Sequence, residues 1–147
     1  MTVTRTIRTG WPNPALASSF PGQSWDAQTA WASPTAQARA RWGRSGTAIT
    51  VCGEVDAANA DQLGDYVRRW VGRCEWLVLD FSGVAFMGTA GFRALQKIQA
   101  HARGRVHWAL VPSPAVSRLL RICDPESVLP TAASMPDALA RVPDSQL

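Results

Sequence analysis

Long hydrophobic runs are missing from this chain: the longest, near Trp76 to Leu79, falls far short of the roughly 20 apolar residues that cross a bilayer, so direct membrane insertion is excluded. The opening MTVTRTIRTG alternates Thr and Arg around isolated Val3 and Ile7, without the continuous apolar stretch of a secretory signal, and the expected location is the cytoplasm. Cysteine is scarce. Cys52, Cys74 and Cys123 are odd in number, widely spaced and form no C-x-x-C pair, which reads as three buried free thiols. The two histidines, His101 and His107, lie six apart across a helix-to-strand turn with no carboxylate at ligand spacing, so neither a metal nor a cofactor is expected.

Lysine is nearly absent as well, Lys97 being the single Lys among 15 basic residues. The net charge of +4 therefore rests on arginines spread along the whole chain. Clusters such as Arg39, Arg41 and Arg44, or Arg68, Arg69 and Arg73, lack the interleaved aromatics of a base-stacking surface, and nucleic acid is not an expected partner. Catalytic signatures fail in turn. The segment GTAG at Gly88 to Gly91 is not the G-x-S-x-G of a nucleophile elbow, and no glycine run has phosphate-cradling spacing. The chain reads as a non-enzyme.

What is there suits one folded domain. The length of 147 residues, 46% hydrophobic and 18% charged, is enough for one core and too short for two. Residues 1–35 hold Pro12, Pro14, Pro21 and Pro34 with no regular period, and read as a flexible tail. Within it, Trp11, Trp25 and Trp31 either pack on the domain's own surface or anchor a partner. Residues 36–142 form the domain, and 143–147 a C-terminal tail.

Inside the domain, ARARWG and TAITVCGEVD flank a glycine turn and predict a two-stranded hairpin. Asp56 ends the second strand and can cap a helix over about Ala57 to Val71, with Ala60, Leu63, Val67 and Trp70 on its buried side, an Asp65–Arg69 pair outside, and Gly64 at a close contact. EWLVLDF is a central strand covered on both faces. After a loop SGVAFMG, a second helix spans about Thr89 to Ala102 with Phe92, Leu95, Ile98 and Ala102 on one side. RVHWALV is the next strand, and SPAVSRLLRIC a helix capped by Ser113 with Pro114 at its first position, burying Val116, Leu119, Leu120 and Cys123. DPESVLP supplies a short last strand, and Ser134 with Pro136 opens a final helix through about Arg141. The order ββαβαβαβα gives an α/β fold, a mixed sheet covered by about four helices.

Ligands and partners of such sheets meet the carboxyl ends of strands, which places Asp56, Asp80 and Thr89 on one candidate rim. Two motifs at consistent spacing then identify a resemblance. Gly53, Glu54 and Asp56 match a strand ending G-E-x-D; Leu79, Asp80, Ser82, Val84 and Phe86 match L-D-x-S-x-V-x-F ahead of a D-[ST]-S-G helix start. Over about Gln37 to Val142 the chain resembles the STAS domain, the SpoIIAA-like module of anti-sigma-factor antagonists. The resemblance implies a bacterial cytoplasmic protein that binds an anti-sigma factor, often a serine kinase, and frees its sigma factor, with phosphorylation at the helix start turning binding off. Some family members instead serve as adaptors or subunits of transport complexes, without that switch.

Carried over by position, Thr89 falls on the phosphoacceptor and Gly91 on the motif glycine, while Gly88 replaces the family's Asp and Ala90 its second Ser or Thr. The implied partner surface comprises Asp56, Asp80, Ser82, Gly88, Thr89, Ala90, Gly91, Phe92 and Arg93. Two readings of Thr89 stand side by side: a helix cap, contributing about 1 kcal/mol over Ala, or a phosphorylation switch at the positive end of the helix.

Overall fold

The computed structural model describes residues 30–43 and 46–141. Trp11, Trp25, the prolines before Pro34 and the C-terminal tail lie outside the described residues. Five strands, β1 (Ala30–Ala32), β2 (Ala36–Trp42), β3 (Gly46–Val55), β4 (Trp76–Met87) and β5 (His107–Pro112), form one sheet in the order β1-β2-β3-β4-β5. The first three are antiparallel neighbours, and β3, β4 and β5 run parallel. Helices α1 (Ala60–Val71), α2 (Thr89–Ala102), α3 (Pro114–Cys123) and α4 (Met135–Ala140) complete the described elements.

The sheet is two-faced because every strand alternates. Ala38, Ala40, Ile49, Val51, Leu77, Leu79 and Leu110 point to the core beneath α1, α2 and α3, together with Leu63, Val67, Leu95, Ile98, Val116 and Leu120. Ala48, Trp76, Val78, Ala109 and Val111 point the other way, to a smaller core closed by Met135 and Ala138 of α4. Gly46 is needed there, since a Cβ would sit 1.7 Å from the Trp76 ring.

Several expectations hold. The hairpin turns where Gly43 and Gly46 were placed, α2 covers Thr89–Ala102, and Ser113 Oγ accepts from Val116 N at 3.1 Å with Pro114 at the first helical position. Others are corrected. The sheet starts inside the span read as tail: Ala30–Ala32 pairs with Gln37–Arg39, and Trp31 packs on the larger core. Three residues carry no periodicity by which to see a strand. SGVAFMG is not a loop; β4 continues to Met87 across a bulge opposite Thr50 and Cys52. β3, not β4, is the middle strand. The strand expected at DPESVLP is reduced to a single bridge between Leu110 and Thr131, because Asp124 instead folds the segment back, accepting from Val128 N and Leu129 N at 2.9 and 3.0 Å.

The first helix begins three residues late. Asp56 does not cap it: its Oδ1 accepts from Ala58 N at 2.9 Å, closing a turn over residues 57–59, and Asn59 stands at the N-cap position. Asp65 pairs with Arg68 rather than Arg69, whose guanidinium lies over the Tyr66 ring at 5.5 Å. Only Cys52 is a buried thiol; Cys74 and Cys123 are partly exposed, and none of the three is in a disulfide. A Cβ on Gly64 would meet Ala94 Cβ at 3.6 Å, ordinary contact that does not require glycine.

Candidate functional site

Paired residues Val55 and Met87 end the parallel strands β3 and β4 side by side, and Gly88 N donates to Val55 O at 3.0 Å. Asp56 and Gly88 therefore leave the same edge of the sheet as neighbours. Gly88 is the N-cap of α2, in extended backbone (φ −89°, ψ 179°), and its carbonyl accepts from Gly91 N at 2.9 Å. Thr89 is thus the first helical residue and not the cap. Its side chain is exposed, and Gly88 has no side chain to serve the first-turn amides.

Gly91 explains how the helix comes so close to the strand ends. A Cβ there would lie 2.4 Å from Met87 Cγ and 3.2 Å from Val55 Cγ1, so the glycine is a packing requirement rather than a contact for a partner. Ala90 and Phe92 are half-buried against the larger core, while Thr89, Arg93, Gln96 and Lys97 form the exposed side of α2. Phe86 is 51% exposed beside the helix start, with its ring 3.7 Å from where a Gly88 Cβ would stand. From Phe92 a groove of about 460 Å³ runs between α2 and the turn after α3, lined by Gln96, Arg103, Cys123 and the 55% exposed Val128.

Two members of the expected rim lie elsewhere. Asp80 is 1% exposed in mid-strand, seven residues before Met87 and so roughly 20 Å from the rim at strand rise. Its Oδ1 accepts from Ser82 N at 3.0 Å and Ser82 Oγ at 2.6 Å, which commits Ser82 as well. These bonds sit at the β4 bulge and hold its backbone, so the D-x-S pair shapes the sheet. The structure brings Asp56, Gly88, Thr89, Ala90, Phe92 and Arg93 together at the carboxyl edge, and leaves Asp80 and Ser82 outside it.

The first motif also has a physical reading. Gly53 has φ +104°, and a Cβ there would sit 2.3 Å from Thr35 O, which accepts from Glu54 N at 2.9 Å. Asn59, missed by sequence reasoning, is the hub of this corner: its Nδ2 donates to Glu54 O at 2.9 Å and Thr35 Oγ1 at 3.1 Å, and its Oδ1 accepts from Asp56 N at 3.0 Å. It is 2% exposed. A buried Asn just before a helix is the one signal that could have found it. Phe86, quoted in the motif but not assigned to the site, was recoverable only from the odd exposure of an aromatic.

Charge and titration do not gather at the rim. Burial, and secondarily the Asp80 charge, pushes the Cys52 thiol up to about 11, and burial raises Cys74 and Tyr66. Burial lowers Arg41, with Asp80 opposing. All of these lie away from Thr89. His101 is about 18 Å along α2 from Thr89 at 1.5 Å per residue, and His107 starts β5 at the opposite edge of the sheet. No described imidazole can serve the Thr89 hydroxyl as a base.

The STAS domain model matches residues 38–138. This chain belongs to the STAS family. Osmosensory protein A of Mycobacterium tuberculosis is 38% identical over 115 residues, covering 75% of this chain and 73% of that protein. An anti-sigma factor antagonist from Mycobacterium paratuberculosis superposes with a TM-score of 0.68 at 23% identity, covering 76% of this chain and 98% of that one. The anti-sigma factor antagonist SpoIIAA in its unphosphorylated form gives 0.54 at 16% identity, over 67% and 88%. The STAS fold, with its mixed five-stranded sheet and four helices, is thereby common ground with anti-sigma factor antagonists. Among the described residues no helix is long and apolar enough to cross a membrane.

Proposed function

We propose that this STAS protein is an anti-sigma-factor antagonist that docks an anti-sigma factor on the carboxyl rim, through Phe86, Thr89, Arg93 and the groove beside Phe92. The observation that carries the reading is Thr89 itself, an exposed hydroxyl in the first turn of α2 that the fold does not use as a cap. Phosphorylation there would bring roughly −1.5 to −2 charges to a helix N-terminus able to accept them, so the protein keeps its fold. The partner would meet the charge instead, in the middle of a face where Phe86 and Arg93 flank Thr89, and release. Gly88 in place of the family's Asp leaves this mechanism intact, since it removes a like charge beside the phosphate. The name of the mycobacterial relative supports osmotic stress as the class of signal.

Calorimetric titration with the anti-sigma factor encoded nearest to this gene tests both halves. Wild type and Thr89→Ala should bind with similar Kd, and Thr89→Glu at least tenfold more weakly. No complex with any variant would overturn the docking role. Equal binding of all three would overturn the switch, and leave a partner-binding domain that works without one.

A further inference from the structure

Charge is unevenly placed along this chain. Between Asp80 and Asp124 there is no carboxylate, while Arg93, Lys97, Arg103, Arg105, Arg118 and Arg121 all fall there and all are exposed. Six of the 15 basic residues thus lie in this stretch, and the nine elsewhere are outnumbered by 11 carboxylates, so the positive surplus comes from here. α2 carries its most regular part. Thr89, Arg93, Lys97, Ala100 and Arg103 follow at steps of three or four and form one exposed ridge, about 21 Å long at 1.5 Å per residue.

The end of the ridge near Thr89 is locally costly. Arg93 and Lys97 are like charges four apart, and Arg93 stands in the second turn from the positive end of a helix whose first turn holds no acid. Lys97 Nζ has Asp61 Oδ1 of α1 at 3.9 Å, but both side chains are largely exposed and the contact carries little weight. Arg103 stands at the C-cap, where its charge suits the helix dipole, with Asp124 and Glu126 along the same groove. Among the described residues Arg93 forms no ion pair. A cation so placed gains from an anion supplied from outside. One turn ahead of it is Thr89, and a negative group there, four residues N-terminal to the base, makes the favourable intrahelical pair. A phosphate would take the guanidinium by charge-assisted hydrogen bonds.

We propose that Arg93, with Lys97 behind it, docks a carboxylate-bearing patch of the partner protein, and that a phosphate on Thr89 captures Arg93 and withdraws it from that patch. The phosphate is transferred to Thr89 Oγ1 from a nucleoside triphosphate, with loss of the hydroxyl proton. The inference rests on the docking role proposed above and adds the chemistry of the partner, an acidic surface matched to a basic ridge. Release then has two parts, the loss of a cation and the gain of a like charge facing the partner's carboxylates.

Calorimetric titration of the full chain with the anti-sigma factor encoded nearest to this gene tests it. The Kd should rise at least tenfold for Arg93→Glu and stay within twofold for Arg141→Glu, the same charge change beside α4 on the opposite face of the sheet. Wild-type affinity in Arg93→Glu overturns the proposal, and so do equal losses in the two variants, which would make net charge the cause. Thr89→Glu should weaken binding at least tenfold in the wild-type background and less than threefold in Arg93→Gln; equal losses in both backgrounds overturn the capture. A measurement on wild type alone guards against a variant that misfolds: its Kd should rise at least tenfold between roughly 50 mM and roughly 500 mM NaCl, and a salt-independent Kd overturns the proposal. A wild type that binds nothing fails at the docking role itself, and this inference falls with it.

Discussion

Asp80 with Ser82, and Gly88 with Thr89, are parts of one continuous motif, and the structure puts them to opposite uses. The first pair is in mid-strand, with a carboxylate 1% exposed and bonded at 2.6 Å to its own neighbour's hydroxyl. The second stands at the strand end, where the hydroxyl is exposed and the capping position is a glycine. Motif residues thus divide by what already satisfies them. A polar group with its bonds closed inside the sheet specifies the fold, and one left open at the edge is available to a partner.

Stability and binding should therefore separate on substitution. The largest stability loss is expected at Gly53→Ala, where a Cβ would collide with Thr35 O at 2.3 Å in a backbone of φ +104°. Strain and overpacking together should cost about 3 kcal/mol in urea unfolding. Next comes Asp80→Ala, which leaves Ser82 and the buried arginine face without their carboxylate and should cost about 2 kcal/mol. Thr89→Ala should move stability by less than about 0.5 kcal/mol, and a loss comparable to that of Asp80→Ala would break the comparison.

A smaller effect lies in pH. The folded Cys52 pKa of about 11 stands above its ordinary value of 9.0, so the neutral thiol favours the fold. That contribution is complete below about pH 9 and is lost as pH rises toward 11, because the unfolded state releases its proton first. Tyr66 and Cys74 act in the same direction. Urea midpoints should fall across this window, and Cys52→Ala should flatten the fall without changing partner binding. Opposite in sign, Gly64→Ala should raise stability by about 0.5 to 1 kcal/mol, since the added Cβ would meet only the far end of the flexible Arg68 side chain at 3.4 Å and Ala94 Cβ at 3.6 Å.

The sequence carried α2, the Ser113 cap and the buried stripe of α1 openly, because each rests on helical spacing and local capping chemistry. It hid β1, three residues whose strand state comes entirely from pairing with β2. It hid the continuation of β4 too, since a bulge interrupts alternation at Ser82 and Gly83 and imitates a loop. Of the candidate rim, Thr89 and Asp56 were legible from their position at strand ends. Asp80 was misplaced because β4 does not end where its apolar run ends, and Asn59 escaped because its partners Thr35 and Glu54 are distant or nearby only through the fold.

The central claim is that Thr89 acts on a partner and not on the fold. The most direct test measures the Kd for the anti-sigma factor and the urea midpoint on the same preparations of wild type and Thr89→Glu. In Thr89→Glu the Kd should rise at least tenfold, about 1.4 kcal/mol, with the midpoint unchanged. Equal Kd values, or a weakened complex accompanied by a matching fall in the midpoint, would contradict it.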